Sequence, residues 1–521
     1  MSVATVYRSG LRAGRDGFAQ LVRAEWTKFR TVRGWVIAMT AASLIIVALG
    51  LSYASGNRST CGQGPVEVAC PAPPVGPDGE AVTDGFFFVH RPLPAEGGIT
   101  VRLTSLTGII TYPPPDHDKI VPGLVPWAKA GIIVKENTRP GSAYAALMVT
   151  AGHGVRMQYD YTHDIAGRPG RVSAASPRWL RLTRTGDTLT GYESADGRQW
   201  AKVGTARLDG LAATVRIGFF VTSPSDLTVK RSDLGGTIEQ ARFTQATGVF
   251  DHVSVQGTAP GEWSGGNVGN AGTTDWERHH QATGVQESGG TFTVTGHGDI
   301  APQTDGQPIE RPLTGVLIGL IVMVVVAVTS MTAEYRRGLI RTTLLADPRR
   351  GRTLAAKAVV IGAVSFAAGL AAAAVAVLAG RPILQANGNY VLPVSTFTEV
   401  RVIAGTGVLA ALAAVFALAL GTLFRRAVAA VITAIALIVV PYILATASVL
   451  PDGAAQWLLR LTPAAGFAIQ QSIPEYAHVL GHYVPAAGYF PLAPWAGLAV
   501  LSAYTALALG LAVVLLRRRD G

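Results

Sequence analysis

Charge is the first thing this chain lacks. Charged residues make up 15% of its 521 positions, against 49% hydrophobic. A soluble protein so poor in charge struggles to stay dispersed, whereas helices facing lipid need no charge at all. Cysteine is almost missing as well, with 2 in the chain, and without histidines close to them a zinc site is disfavoured. A third absence is chemical. Nowhere does G-x-x-x-x-G-K-[ST] occur, so nothing here cradles ATP phosphates and the chain is not itself an ATPase. The net charge of +11 raises the question of nucleic acid. The basic residues, however, sit beside apolar runs on one side of the predicted membrane, which is the positive-inside pattern and not a nucleic-acid face.

What is present is clumped. Trp35–Ala54 contains no charge, and at 1.5 Å per residue it matches a hydrocarbon core of about 30 Å. Further candidate spans are Leu313–Thr332, Ala356–Ala379, Val402–Phe424, Val428–Leu450 and Pro494–Leu516. Ahead of the first span, residues 18–33 repeat Phe18, Leu21, Val22, Trp26 and Phe29 at helical spacing, with Arg23, Glu25, Lys28 and Arg30 opposite. This predicts an amphipathic surface helix within a cytoplasmic N-terminus spanning 1–34. The spans cover 35–54, 312–332 and four more within 356–521, the last two separated by an outer loop, 451–493.

Orientation follows from the basic residues. Arg8 to Arg33 precede span one, Arg336 to Lys357 lie between spans two and three, Arg425 and Arg426 join spans four and five, and Arg517–Arg519 follow span six. All fall on one side if six spans are present, which puts both termini in the cytoplasm of a multi-pass cell-membrane protein. The predicted fold class is therefore a polytopic α-helical membrane protein of six spans with an inserted extracytoplasmic all-β sandwich. The insert, residues 55–311, begins with Cys61 and Cys70 on the outer side, where disulfides persist. A bridge between them would add about 2–3 kcal/mol locally.

Within the insert, short β-branched and aromatic runs alternate with turn signals over about 85–256, followed by a long Gly/Asn/Thr-rich loop at 257–290 and a late strand at 291–302. In Trp179-Leu180-Arg181-Leu182-Thr183 apolar and polar residues alternate, so one face is buried. Ala130-Gly131-Ile132-Ile133, Trp179-Leu180-Arg181-Leu182 with Arg184 and Gly186, Tyr192-Glu193-Ser194 with Asp196-Gly197 and Trp200, Ile217-Gly218-Phe219, and Phe250-Asp251-His252-Val253 follow in order. This series resembles the concanavalin-like lectin/glucanase sandwich, which speaks for fold more than function. Trp179 and Trp200 are placed in the core by their strand positions. Glu136, Asp160, Asp164, Glu193 and Asp196 are candidate carboxylates for glycoside hydrolysis, but no two of them pair by sequence, and a structural role is favoured. His279, His280 and His297 are read as exposed rather than metal-binding. No catalytic residue and no metal ligand is assigned.

The most informative stretch is residues 333–355. A helix from Ala333 to about Leu345 sets Arg337 and Arg341 on one polar face and ends at Asp347-Pro348. Glu334-Tyr335-Arg336-Arg337-Gly338, Ile340-Arg341-Thr342-Thr343-Leu344 and Pro348-Arg349-Arg350 with Arg352 and Lys357 resemble the cytoplasmic coupling segment of type-2 ABC transporter permeases. Residues 24–35, AEWTKFRTVRGW, are similar to the surface helix that opens such permeases. The resemblance implies an exporter subunit, acting as a homodimer or as a heterodimer with a related permease. Each copy would hold a separate ABC ATPase subunit on Glu334, Tyr335, Arg336, Arg337, Arg341, Arg349, Arg350 and Arg352. ATP would be bound by that partner, so this chain needs no cofactor. Membrane lipid and cell-wall or glycan contact through the outer domain complete the expected partners, with nucleic acid excluded. The nearly charge-free spans suit a lipidic or amphipathic cargo. The alternative function is a membrane-anchored glycan-binding or sensing protein.

Overall fold

The computed structural model describes residues 17–519 apart from 64–65, 69, 71, 113–118, 232–236, 258–261, 270–281, 337–349 and 482. Six helices in it are long and apolar enough to cross a membrane. Two more helices join them, giving α1 (Phe18–Thr31), α2 (Arg33–Gly56), α3 (Val316–Arg336), α4 (Arg350–Ala386), α5 (Thr396–Phe424), α6 (Ala427–Thr446), α7 (Asp452–Leu461) and α8 (Pro494–Arg519). The helices overrun the predicted spans at most ends, because the apolar stretch marks only the part of a helix that avoids water.

Alanine and glycine let the helices approach closely. A Cβ on Gly50 of α2 would sit 2.0 Å from the Pro312 carbonyl oxygen, so only glycine fits there. Gly405 of α5 faces Ile469 in the same way, at 2.3 Å. That contact admits a buried 3₁₀ stretch, Pro463–Gln470, between α5 and α8. The loop 451–493 contains the short helix α7, on which Trp457 and Leu461 are exposed.

Between α2 and α3 stands the sandwich. One sheet has seven strands in the order His163–Ala166, Gly154–Tyr159, Tyr144–Thr150, Lys129–Lys135, Val215–Thr222, Phe86–Leu93, Ser264–Val268. The other has nine strands, its main run being Ala201–Arg207, Thr188–Ser194, Arg178–Thr185, Glu96–Thr111, Thr237–Gln256, Thr291–Gly296, Gly284–Ser288. Leu147, Ile132 and Phe219 from the first sheet meet Leu182, Val101 and Phe250 from the second in the core. The segment 257–290 is not simply a loop. It supplies edge strands Ser264–Val268 and Gly284–Ser288 to the two sheets, and glycine-rich composition concealed both. The late segment 291–302 likewise divides, with Thr291–Gly296 in the nine-stranded sheet and Ile300–Pro302 paired to Val82–Asp84 in a separate ribbon.

That ribbon lies over the outward face of the seven-stranded sheet, forming a second core of Phe86, Phe88, Ile133, Tyr144, Met148 and Tyr161 with Val82 and Ile300. Among the described residues, hydrogen bonds tie the sandwich to the helical part at the following places, among others. Ser59 N–H donates to Asn387 O at 3.1 Å, and the Asn389 side chain to Asn57 O at 2.7 Å. Gln307 N–H donates to Tyr390 O at 2.8 Å. Far along the chain, His478 Nε2–H donates to the Tyr161 carbonyl at 2.7 Å. Cys61 and Cys70 form a disulfide beside the first of these joints.

Candidate functional site

At the end of the bundle away from the sandwich, three helices are joined by charge. Lys28 of α1 donates to Glu25 Oε1 at 2.7 Å and to Glu334 Oε1 at 3.2 Å. Lys357 of α4 donates to Glu25 Oε2 and to Glu334 Oε1, both at 2.8 Å. Two ammonium groups and two carboxylates thus neutralise one another among α1, α3 and α4, with Lys357 4% and Glu25 6% exposed. Burial alone would push the Glu25 carboxyl up; Lys357 and Lys28 outweigh it and hold the group below the usual carboxylate range. Lys28 is pulled down by burial but raised overall by Glu25 and Glu334.

The cluster revises two expectations. Glu25 is not on the solvated side of α1, since it turns inward beside Phe29. Glu334, expected to meet a partner subunit, is 7% exposed and spent on Lys28 and Lys357. A carboxylate so enclosed positions the ends of helices and has no free face to offer. Tyr335 lies under the Arg425 guanidinium at 5.1 Å, while Arg336 and Arg352 are exposed. Arg337, Arg341 and Arg349 lie outside the described residues, as does the side chain of Arg350; so do His279 and His280. The sequence signal for the cluster was faint: an acidic residue at 25 within a basic flank, with Lys28 three positions on.

The opposite end holds a cavity of about 700 Å³ between sandwich and bundle. Leu227 and Pro302 line it from the sandwich side, and Arg311, Tyr442, Gln471 and Phe490 from the helical side. Glu310 at its margin accepts from Ser472 N–H at 2.9 Å and from the Ser472 hydroxyl, yet burial leaves its carboxyl raised. Arg401 donates to Gln471 O at 2.8 Å, fixing the segment that follows the 3₁₀ stretch.

Inside the sandwich four of the five candidate carboxylates are held by hydrogen bonds of their own. Asp164 is bound by Arg156 and by Gln158 at 3.1 Å, and Glu193 accepts Arg168 N–H at 2.7 Å. Asp196 caps its own turn through Arg198 and Gln199 N–H, both at 2.8 Å, which draws its carboxyl down to about 2. Asp160 sits in a left-handed turn at φ 42° and accepts Tyr144 N–H; burial pushes it up to about 6. Two lysines that the sequence reading passed over are the more notable groups. Lys135 binds Asp84 at 2.7 Å and Lys129 binds Asp299 at 2.6 Å, with both lysine side chains fully buried. They cap the two ends of one strand and hold the ribbon to it. Trp179 and Trp200 also depart from expectation. Both are half-buried on the solvent side of the nine-stranded sheet, against Arg102 and Arg181, not in the core.

No family model matches the chain, and no curated protein matches it in sequence. Among solved structures, a functionally unknown protein from Saccharomyces cerevisiae is 16% identical over 33% of this chain and 74% of its own length, with a TM-score of 0.20. The GH43 BlXynB protein from Bacillus licheniformis is 13% identical over 32% of this chain, which spans 28% of that protein, with a TM-score of 0.20. Scytalido-glutamic peptidase is 10% identical over 41% of this chain and 98% of its own length, with a TM-score of 0.25. At TM-scores this low none of the three bears on activity. The observations establish a chain of six helices, each long and apolar enough to cross a membrane, carrying an inserted two-sheet β-sandwich.

Proposed function

We propose that this chain is the membrane-spanning subunit of an ATP-driven exporter of the type-2 ABC kind, moved by a separate ATPase that docks on residues 333–355. Both termini lie in the cytoplasm and the sandwich outside. The observation that carries this reading is the cluster of Glu25, Lys28, Glu334 and Lys357. Glu334 and Lys357 bracket the basic segment 337–349 and tie both its ends to α1. A force applied to that segment therefore reaches the surface helix and two long helices together. In a low-dielectric setting the four charges resist separation, because parting any one leaves an uncompensated neighbour.

The motor is a second protein because no phosphate-binding loop occurs in this sequence. Arg337, Arg341, Arg349 and Arg350 offer the docking charge, and a homodimer or a pair of related permeases completes the pathway. The cavity at the sandwich joint receives cargo on the outer side.

The test is co-purification of an ATPase with the full chain in mild detergent. Arg341→Glu should release the ATPase. Glu334→Gln should retain it but uncouple hydrolysis from transport, since Gln cannot balance Lys28 and Lys357. Absence of any ATPase from the wild-type preparation would sink the reading.

A further inference from the structure

The second core, between the ribbon and the seven-stranded sheet, encloses an ion pair shut away from water. Lys135 Nζ lies 2.7 Å from Asp84 Oδ2, and neither side chain has any exposed surface. Asp84 ends the ribbon strand Val82–Asp84, and Lys135 ends the sheet strand Lys129–Lys135. The ring centres of Tyr144 and Tyr161 are 5.7 and 5.6 Å from Nζ, and Phe86, Phe88 and Ile133 belong to the same core. Burial draws the Lys135 ammonium below its ordinary range, even against the pull of Asp84. Two charges held this dry remain costly however well they are paired.

The hydrogen bonds around the pair are lopsided. Asp84 Oδ2 accepts from Lys135 Nζ, from the Tyr161 hydroxyl at 2.7 Å and from Gly141 N–H at 2.8 Å. Asp84 Oδ1 is buried and has no hydrogen-bond partner among the described residues. Lys135 Nζ also donates to the Ser142 carbonyl at 2.9 Å and to the Tyr161 oxygen at 3.1 Å. A carboxylate serving only as a counter-ion has two oxygens to satisfy. An amide has one oxygen and one N–H. This site offers two donors to one oxygen and an acceptor to the nitrogen, and it leaves idle the oxygen that an amide would lose.

We propose that Lys135 and Asp84 condense into an intramolecular amide, a covalent strap between the ribbon and the seven-stranded sheet. Nζ gives up two protons in all. The first neutralises the carboxylate as the ammonium becomes an amine. The amine lone pair then attacks Cγ, and the second proton leaves as the C–N bond forms. Both protons finish on Oδ1, the Cγ–Oδ1 bond breaks, and one water departs. Nothing is oxidised or reduced, and no co-reactant is consumed. Charge that gathers on Oδ2 meets the Tyr161 hydroxyl and Gly141 N–H already in place, and enforced proximity stands in for an activated acyl group. In the product Oδ2 keeps those donors, the remaining N–H keeps the Ser142 carbonyl, and both buried charges are gone. The strap joins positions 51 residues apart, which curtails the freedom of the unfolded chain. It is independent of the transport reading and stands on the sandwich alone.

The other end of the same strand supplies a contrast. Lys129 Nζ lies 2.6 Å from Asp299 Oδ1, but Asp299 keeps 12% exposure and lines the cavity at the sandwich joint. Water reaches that carboxylate, so this second pair stays ionic.

The experiment is mass spectrometry of the full chain, purified in detergent, denatured, and reduced to open the disulfide. Its mass should fall short of the sum of its residues by one water, about 18 Da. Trypsin should yield a branched peptide joining the segment that holds Asp84 to one in which Lys135 is uncleaved. Lys135→Met and Asp84→Ala should each abolish the deficit and the branched peptide, while Asp299→Asn should keep both. The wild-type spectrum decides even where a variant fails to fold. Full mass with Lys135 cleaved normally, or a branch that maps to any other pair, would overturn the proposal.

Discussion

The two sheets of the sandwich are built from opposite sequence patterns. In the seven-stranded sheet, strands Lys129–Lys135 and Tyr144–Thr150 are buried at every position. In the nine-stranded sheet, Arg178–Thr185 keeps Leu180, Leu182 and Arg184 inside and leaves its other positions partly or fully exposed. A sheet covered on both faces needs continuous apolar strands, and a sheet with one wet face alternates. The covered sheet carries the joint to the helical bundle, through the ribbon and His478. The open one displays an ordered polar and aromatic surface. One sheet attaches the domain; the other turns a face outward.

This contrast breaks most sharply at Lys135. Lys135→Met strands Asp84 in the second core and should cost about 3–5 kcal/mol in denaturant unfolding of the sandwich. A loss below about 1 kcal/mol would mean that the pair is not buried as described. Next in size is His478→Ala, which deletes the long-range bond to Tyr161 and should cost about 1–3 kcal/mol. Hydrogen exchange should quicken at residues 159–163 and leave the Arg178–Thr185 strand unchanged. Asp160 gives the pH test. Its folded carboxyl is raised to about 6 from an ordinary 3.8, so its ionisation opposes folding. Stability from this group is full below about pH 4 and is lost as pH rises through about 6. Asp160→Asn should therefore raise the thermal midpoint by about 2 °C at pH 8 and leave it unchanged at pH 4. The smallest effect is expected on the open face. Arg102→Met removes a partly exposed ion pair and should cost about 1 kcal/mol or less by the same unfolding assay.

The helices and the existence of a two-sheet domain were legible because each rests on local periodicity. Trp35–Ala54 reads as a spanning helix from its apolar length, and Trp179-Leu180-Arg181-Leu182 reads as a one-sided strand from its alternation. What stayed hidden depends on pairing across long distances. Nothing near Lys129 and Lys135 announces Asp299 and Asp84, and nothing near Glu25 announces Lys357. The edge strands Ser264–Val268 and Gly284–Ser288 were obscured by glycine, which lowers strand propensity while leaving the backbone free to pair. The strand positions of Trp179 and Trp200 suggested the core, whereas a cation lying on an indole lets it sit at the surface. At Glu334 the charge pattern showed a carboxylate within a basic stretch but not its burial against Lys28 and Lys357, because sequence cannot tell a buried counter-ion from an exposed one.

His478 has a mechanical consequence. A domain joined to its base only by the two crossings near residues 57–59 and 307–311 could rock about the line between them, as a door turns on two hinges. The bond from the segment before α8 adds a third attachment. Three attachments restrain the sandwich on the helices more than two would. Through this bond, a tilt of α8 would pull on the sandwich at Tyr161.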